Sequence, residues 1–206
     1  MIARFGTDTA LLVIDVQKGV NVLNHWGGPS GRRNNPNAEA TIAKVLACWR
    51  DKKLPVFYTR HDSREATSPL RVGIPSGEFI EDLEPKTGDA ILLKDVNSAF
   101  VGTRLEIELR RRRIHRLVLL GFFTNFCIET TARMANNLGF DSYVVHDACA
   151  TTNRIGVNGE DFDPDLVHAV SIANMHREFC TVLSADSIVA LLDGDLAHVS
   201  RQQGNE

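Results

Sequence analysis

The chain has 206 residues, 43% of them hydrophobic and 24% charged, with a formal net charge of −3. That size and balance predict one globular domain with a substantial core, and the slight acidity gives no electrostatic reason to expect nucleic acid as a partner. No stretch reaches the ~18 apolar residues that span a membrane, the first residues lack the apolar core of a signal peptide, and four cysteines without a CxxC pair predict a cytoplasmic protein without disulfides.

In chain order, short apolar runs alternate with stretches of helical spacing. Leu11–Ile14 reads as a buried strand, ended by Asp15. Ala38–Trp49 has apolar residues at helical spacing, with Asn37 placed to cap it. Pro55–Thr59 and Ala90–Leu93 read as the second and third strands, the latter ended by Lys94. Thr103–Arg113 reads as a helix whose basic run, Arg110 to Arg113, suits the negative end of the helix dipole. Leu117–Leu120 is a fourth strand, and Cys127–Leu138 a helix closed by Gly139. Ser142–Val145 is a fifth strand, Pro164–His176 a helix with proline in its first turn, Phe179–Leu183 a sixth strand, and a short helix follows Ser184. The polar tail from Ser200 to Glu206 is expected to fray.

Strands that are apolar on both faces and alternate with helices predict an α/β fold, a parallel sheet with helices on both sides. In such sheets chemistry collects at the carboxyl ends of the strands. Three long segments leave that edge, at residues 19–37, 61–89 and 151–163, and their shared edge predicts a common cover over one pocket.

Cys127 follows a strand and opens a helix, where the helix dipole and unpaired N–H groups favour thiolate over thiol. Asp15 and Lys94 end strands at the same edge. Each alone is commonly a cap or an ion pair; together with a thiol they make a hydrolytic set. Aspartate can accept the thiol proton, and the ammonium favours both ionised forms.

These residues carry a resemblance. Asp15 with Gln17, Lys94 followed by Ser98-Ala99-Phe100, and Gly121-Phe-Phe-Thr-Asn-Phe-Cys127 followed by Thr130-Thr-Ala132 resemble the isochorismatase-like cysteine hydrolases. That family includes nicotinamidases, N-carbamoylsarcosine amidohydrolases and ureidoacrylate amidohydrolases. The resemblance runs from about Thr9 to Leu192 and covers one domain. It implies a three-layer sandwich with a six-stranded parallel sheet, a catalytic triad of Asp15, Lys94 and Cys127, and a cis peptide joining Phe122 to Phe123. It further implies an oxyanion hole formed by the N–H groups of Phe123 and Cys127.

The sequence departs from the metal-binding members. Nicotinamidases hold a metal with an Asp-x-His pair and a further histidine. Here His61 stands at the aspartate position, Ser63 replaces the first histidine, and no histidine follows before Lys94. No metal and no cofactor is expected. Val20 stands where nicotinamidases place an aromatic residue, which disfavours nicotinamide. Candidate substrate contacts are Gln17, Phe100 and Phe122 in the matching motifs, and His25, Trp26, Arg60, His61 and Arg71 in the covering loops. Arginine would suit a substrate carboxylate.

Among the other groups, His146 and Cys149 lack the fourth ligand of a zinc site with Cys127. Cys48 and Cys180 read as core, and His168 and His176 as packing or subunit contact. The expected activity is cysteine-dependent hydrolysis of a C–N bond in a small molecule through a thioester, by a homo-oligomer (dimer or tetramer). The rivals are vinyl-ether hydrolysis with Asp15 as acid and Cys127 idle, a binding protein that has lost turnover, and a thiol redox sensor with Cys149 as resolving partner.

Overall fold

The computed structural model describes residues 4–195. The tail expected to fray lies outside the described residues. Eight strands lie among the described residues: β1 Thr9–Ile14, β2 Val56–His61, β3 Ala90–Lys94, β4 Arg116–Phe122, β5 Asp141–Ala150, β6 Arg154–Ile155, β7 Asp161–Phe162 and β8 Thr181–Leu183. The helices are α1 Leu23–Gly27, α2 Ala38–Asp51, α3 Leu105–Arg111, α4 Glu129–Asn137, α5 Pro164–Met175 and α6 Ala185–Asp193. No helix among the described residues is long and apolar enough to cross a membrane.

The main sheet has six parallel strands in the order β3-β2-β1-β4-β5-β8. Every residue of β1 is buried, as are Leu117 to Phe122 of β4. These central strands are unbroken apolar runs because both faces are covered. The edge strand β3 alternates instead. Leu92 and Lys94 are buried, whereas Ile91 and Leu93 are 55% and 56% exposed, so the expectation of strands covered on both faces fails at this edge.

Several local expectations shift. Asn37 precedes α2 without a side-chain capping bond, whereas Asp163 and Ser184 accept from the backbone N–H groups of Asp165 and Ser187 and cap α5 and α6. The helix expected from Cys127 begins earlier, as a π turn over Thr124–Ile128 that runs into α4. The first and third long segments are partly ordered: α1 lies in one, and β6 pairs with β7 in the other.

Two backbone positions fix the site's geometry. A Cβ on Gly121 would lie 2.1 Å from the Ile14 carbonyl oxygen, so glycine lets β4 approach β1. Asp15 has φ 52°, a left-handed conformation that aspartate tolerates better than most residues. It turns the chain at the end of β1.

Candidate active site

The register of the parallel sheet brings the charged groups together. His61 pairs with Lys94 across β2 and β3, and Asp15 follows β1 one strand away. The side chains of Lys94 and Asp15 are 0% and 1% exposed, and Lys94 Nζ donates to Asp15 Oδ2 at 2.6 Å. The same ammonium reaches His61 Nδ1 at 2.8 Å, Cys127 Sγ at 3.2 Å and the Val96 carbonyl at 3.2 Å. Burial works against this ammonium, but the Asp15 carboxylate, with Cys127 beyond it, outweighs that and holds Lys94 above the ordinary lysine range.

Thr59 is a residue that sequence reasoning missed. Its hydroxyl donates to Asp15 Oδ1 at 2.6 Å and accepts from the Asp15 N–H at 3.2 Å. Both carboxylate oxygens are therefore held, one by Thr59 and one by Lys94. The only signal in the sequence is a hydroxyl side chain at the end of an otherwise apolar strand.

Cys127 sits in the π turn after β4. The Phe123 carbonyl accepts from the N–H groups of Phe126 and Ile128, which closes that turn, and the Phe122–Phe123 peptide is cis. The thiol is buried, 6% exposed. Burial pushes its pKa well above the ordinary thiol range, the Asp15 carboxylate pushes it further, and Lys94 works against both. The helix-start argument for a resting thiolate is thus overruled by desolvation and a neighbouring carboxylate. Both favour a protonated sulfur beside the Asp15 carboxylate. Asn97, also absent from the sequence candidates, has its Oδ1 3.9 Å from Sγ.

A cavity of about 220 Å³ opens over this group, with Asp15, Cys127 and His61 at its base. Trp26, Phe122, Phe123 and Phe126 form an aromatic side, while Ser63, Glu65, Ser68 and Leu70 come from the second long loop. The third long segment does not line the cavity. It braces the first: Asn153 donates to the Gly27 carbonyl and Arg154 to that of Trp26.

Of the proposed substrate contacts, Trp26, His61 and Phe122 line the cavity and five do not. The Gln17 amide is spent on the backbone, donating to the His61 and Gly77 carbonyls and accepting from the His61 N–H. Phe100 packs on Phe140, and His25 packs edge-on against Trp26. Arg60 bonds Glu78 and the Gly77 carbonyl, and Arg71 the Ala66 carbonyl. Neither arginine reaches the cavity to meet a carboxylate.

The metal-ligating atoms of Asp15, His61 and Cys127 lie within 4.8 Å of one another. The cation between them is the Lys94 ammonium, which contacts all three, so the donor set is already filled by a positive charge and does not suit a metal ion. His146 and Cys149 do not join Cys127 in such a group among the described residues. Cys180 is buried as expected and Cys48 only partly so. His176 Nδ1 accepts from the Val182 N–H, and His168 Nδ1 meets the Thr124 hydroxyl at 2.9 Å, in the π turn that carries Cys127. Burial, aided by the nearby charge of His146, pushes His168 down to about 4.

A six-stranded parallel sheet with aspartate, lysine and cysteine meeting at its carboxyl edge defines a hydrolase class. Residues 9–187 match the Isochorismatase domain, and the chain belongs to that family. It is 37% identical over 180 residues to the isochorismatase family protein YrdC of Bacillus subtilis, covering 87% of this chain and 94% of YrdC. An isochorismatase-family crystal structure from Chromobacterium violaceum superposes with a TM-score of 0.85 at 40% identity, covering 92% of this chain and 96% of that one. Nicotinamidase 3 of Arabidopsis thaliana is 28% identical over 199 residues, covering 90% and 89% of the two chains. The protein is a hydrolase of this family.

Proposed function

We propose that the protein hydrolyses a C–N bond of a small amide, ureido or carbamoyl compound through a thioester on Cys127. The observation that carries this reading is the single ammonium of Lys94, 2.6 Å from the Asp15 carboxylate and 3.2 Å from the Cys127 sulfur. Asp15 takes the thiol proton as sulfur attacks the carbonyl carbon, so the thiolate exists only while it is bonding to substrate. The N–H groups of Phe123 and Cys127, both at the cavity wall, receive the oxyanion. Asp15 then gives its proton to the departing nitrogen. A water molecule deprotonated by Asp15 cleaves the thioester and restores the thiol.

Lys94 keeps the net charge of the group low at each stage, and Thr59 holds the carboxylate in line. The cycle uses no metal. A subunit assembly and a cytoplasmic setting remain part of this proposal.

The test is intact-mass and peptide mapping of the protein quenched during turnover of a panel of amides, ureas and carbamoyl compounds. An acyl increment on Cys127 that hydroxylamine removes is expected. Undiminished turnover by Cys127→Ser would instead assign the reaction to Asp15 as an acid, as in vinyl-ether hydrolysis. Turnover lost to a chelator and restored only by added zinc, iron or manganese would remove the metal-free cycle.

A further inference from the structure

The cavity differs from an anion-binding site in its charges. Lys94, the cation at its base, has a side chain with 0% exposure and is surrounded by four acceptors, so it has no face to offer a distant carboxylate. Arg60 and Arg71 are engaged elsewhere. Besides Asp15, the acidic side chain lining the cavity is Glu65, which is also exposed to solvent. Its N–H donates to Ser63 Oγ and its Oε1 accepts from the Thr67 hydroxyl, which orients the loop while leaving Oε2 available. No lysine or arginine among the described residues pairs with it.

The same cavity is lined by Trp26, Phe123 and Phe126, with ring centroids 5.0 Å apart for Trp26 and Phe123 and 6.4 Å for Phe123 and Phe126. Arg154 already lies over the Phe126 ring at 4.8 Å, which leaves Trp26 and Phe123 as the rings to meet a cation. Aromatic faces attract cations through their quadrupoles, and a carboxylate across the same small space adds charge attraction. A carboxylate-bearing substrate meets repulsion from Glu65.

We propose that Glu65 and this aromatic wall make the cavity select an amide whose far end is an amine, and reject one whose far end is a carboxylate. This rests on the proposed function for the reaction itself, but the selection is a property of binding. The volume of about 220 Å³ limits the substrate to a single small ring or a short chain. Glu65 is a specificity residue, remote from the proton transfers.

A charge series of one length tests this: 4-aminobutanamide, butanamide and succinamate. Their affinities are measured by calorimetry on full-length Cys127→Ala, and their kcat/KM on the wild type. The expected order is amine, neutral, carboxylate in both, with the amine favoured over the carboxylate by about tenfold or more. Glu65→Gln should bring the amine within about threefold of butanamide, both affinities being read on the same variant. Binding in that order without turnover would uphold the selection and count against hydrolysis of these amides. Equal affinity for all three, no binding of any, or an order unchanged by Glu65→Gln would overturn the proposal. So would preference for succinamate lost in Arg154→Gln, since Arg154 lies over Phe126 at 4.8 Å, donates to the Trp26 carbonyl and has no acidic partner among the described residues.

Discussion

Two concavities of the molecule differ in size, and the smaller of the two is the candidate active site. A groove of about 720 Å³ runs between α5 and β8, and the cavity over Cys127 holds about 220 Å³. The groove also has titratable walls: His146, His176 and Arg177. Its lining holds no acid and no thiol, and the His176 ring already takes the Val182 N–H. The smaller cavity ends on three ionisable groups that share contacts with one another. Volume gives a ligand room, but proton transfer needs a donor and an acceptor held at bonding distance, and only the second place offers that.

The sharpest break between the two places is Cys127→Ser, which should lower kcat/KM by on the order of 10⁴-fold or more with unchanged far-UV dichroism. His176→Ala in the groove should leave kcat/KM within about twofold by the same assay. A comparable loss in both variants would erase the distinction.

Next is Lys94→Met, which strands a buried carboxylate and should cost about 3–5 kcal/mol in urea unfolding. It also removes the charge that eases thiol ionisation, so iodoacetamide alkylation of Cys127 should slow further and recover only at higher pH. Wild-type alkylation should itself keep rising through about pH 9, the upper part of the ordinary thiol range, because burial and Asp15 hold the thiol up. A plateau near neutrality would show a resting thiolate.

Thr59→Val keeps the shape and removes the hydroxyl bond to Asp15. A hydrogen bond to a charged group is worth about 1.5–3 kcal/mol, so turnover should fall by roughly ten- to a hundredfold with a smaller change in KM. Equal losses in kcat and stability with no change in the pH–rate profile would reduce Thr59 to a packing residue.

The smallest effect is on stability in acid. His61 is held below its ordinary value by burial first and by Lys94, against the pull of Asp15, and His168 falls to about 4. A depressed folded value means the unfolded chain binds protons first, so this stability is complete above the ordinary histidine value of 6.5 and is lost as pH falls through the folded values. The melting temperature should drop by a few degrees on the order expected for ~1 kcal/mol between pH 6.5 and pH 4, and less in His168→Gln.

The sheet was legible because β1 and β4 are apolar without interruption, and the strand ends carried Asp15, Lys94 and Cys127 to one edge. Contacts that depend on register were not legible. Thr59 and Asn97 meet Asp15 and Cys127 only because β2 and the turn after β3 align with β1 and β4, and periodicity does not state alignment. Gln17 and Phe100 stand in matching motifs, yet one serves the backbone and the other the core. Loop arginines follow the same lesson: local carbonyls and Glu78 claim them before any ligand does. The forces that oppose a resting thiolate were not legible, because a sequence displays the helix start and hides the desolvation.

The Lys94–Asp15 pair joins residues 79 positions apart, and the Thr59–Asp15 pair spans 44. Such closures come late on a folding trajectory, after local helices and hairpins have formed. Two neighbouring strands, β1 and β2, must be zipped before the carboxylate has Thr59, and β3 must join them before it has Lys94. Until then Cys127 has no base beside it and the proposed cycle cannot run. Activity should lag far-UV dichroism during refolding, which makes catalysis a reporter of completed topology.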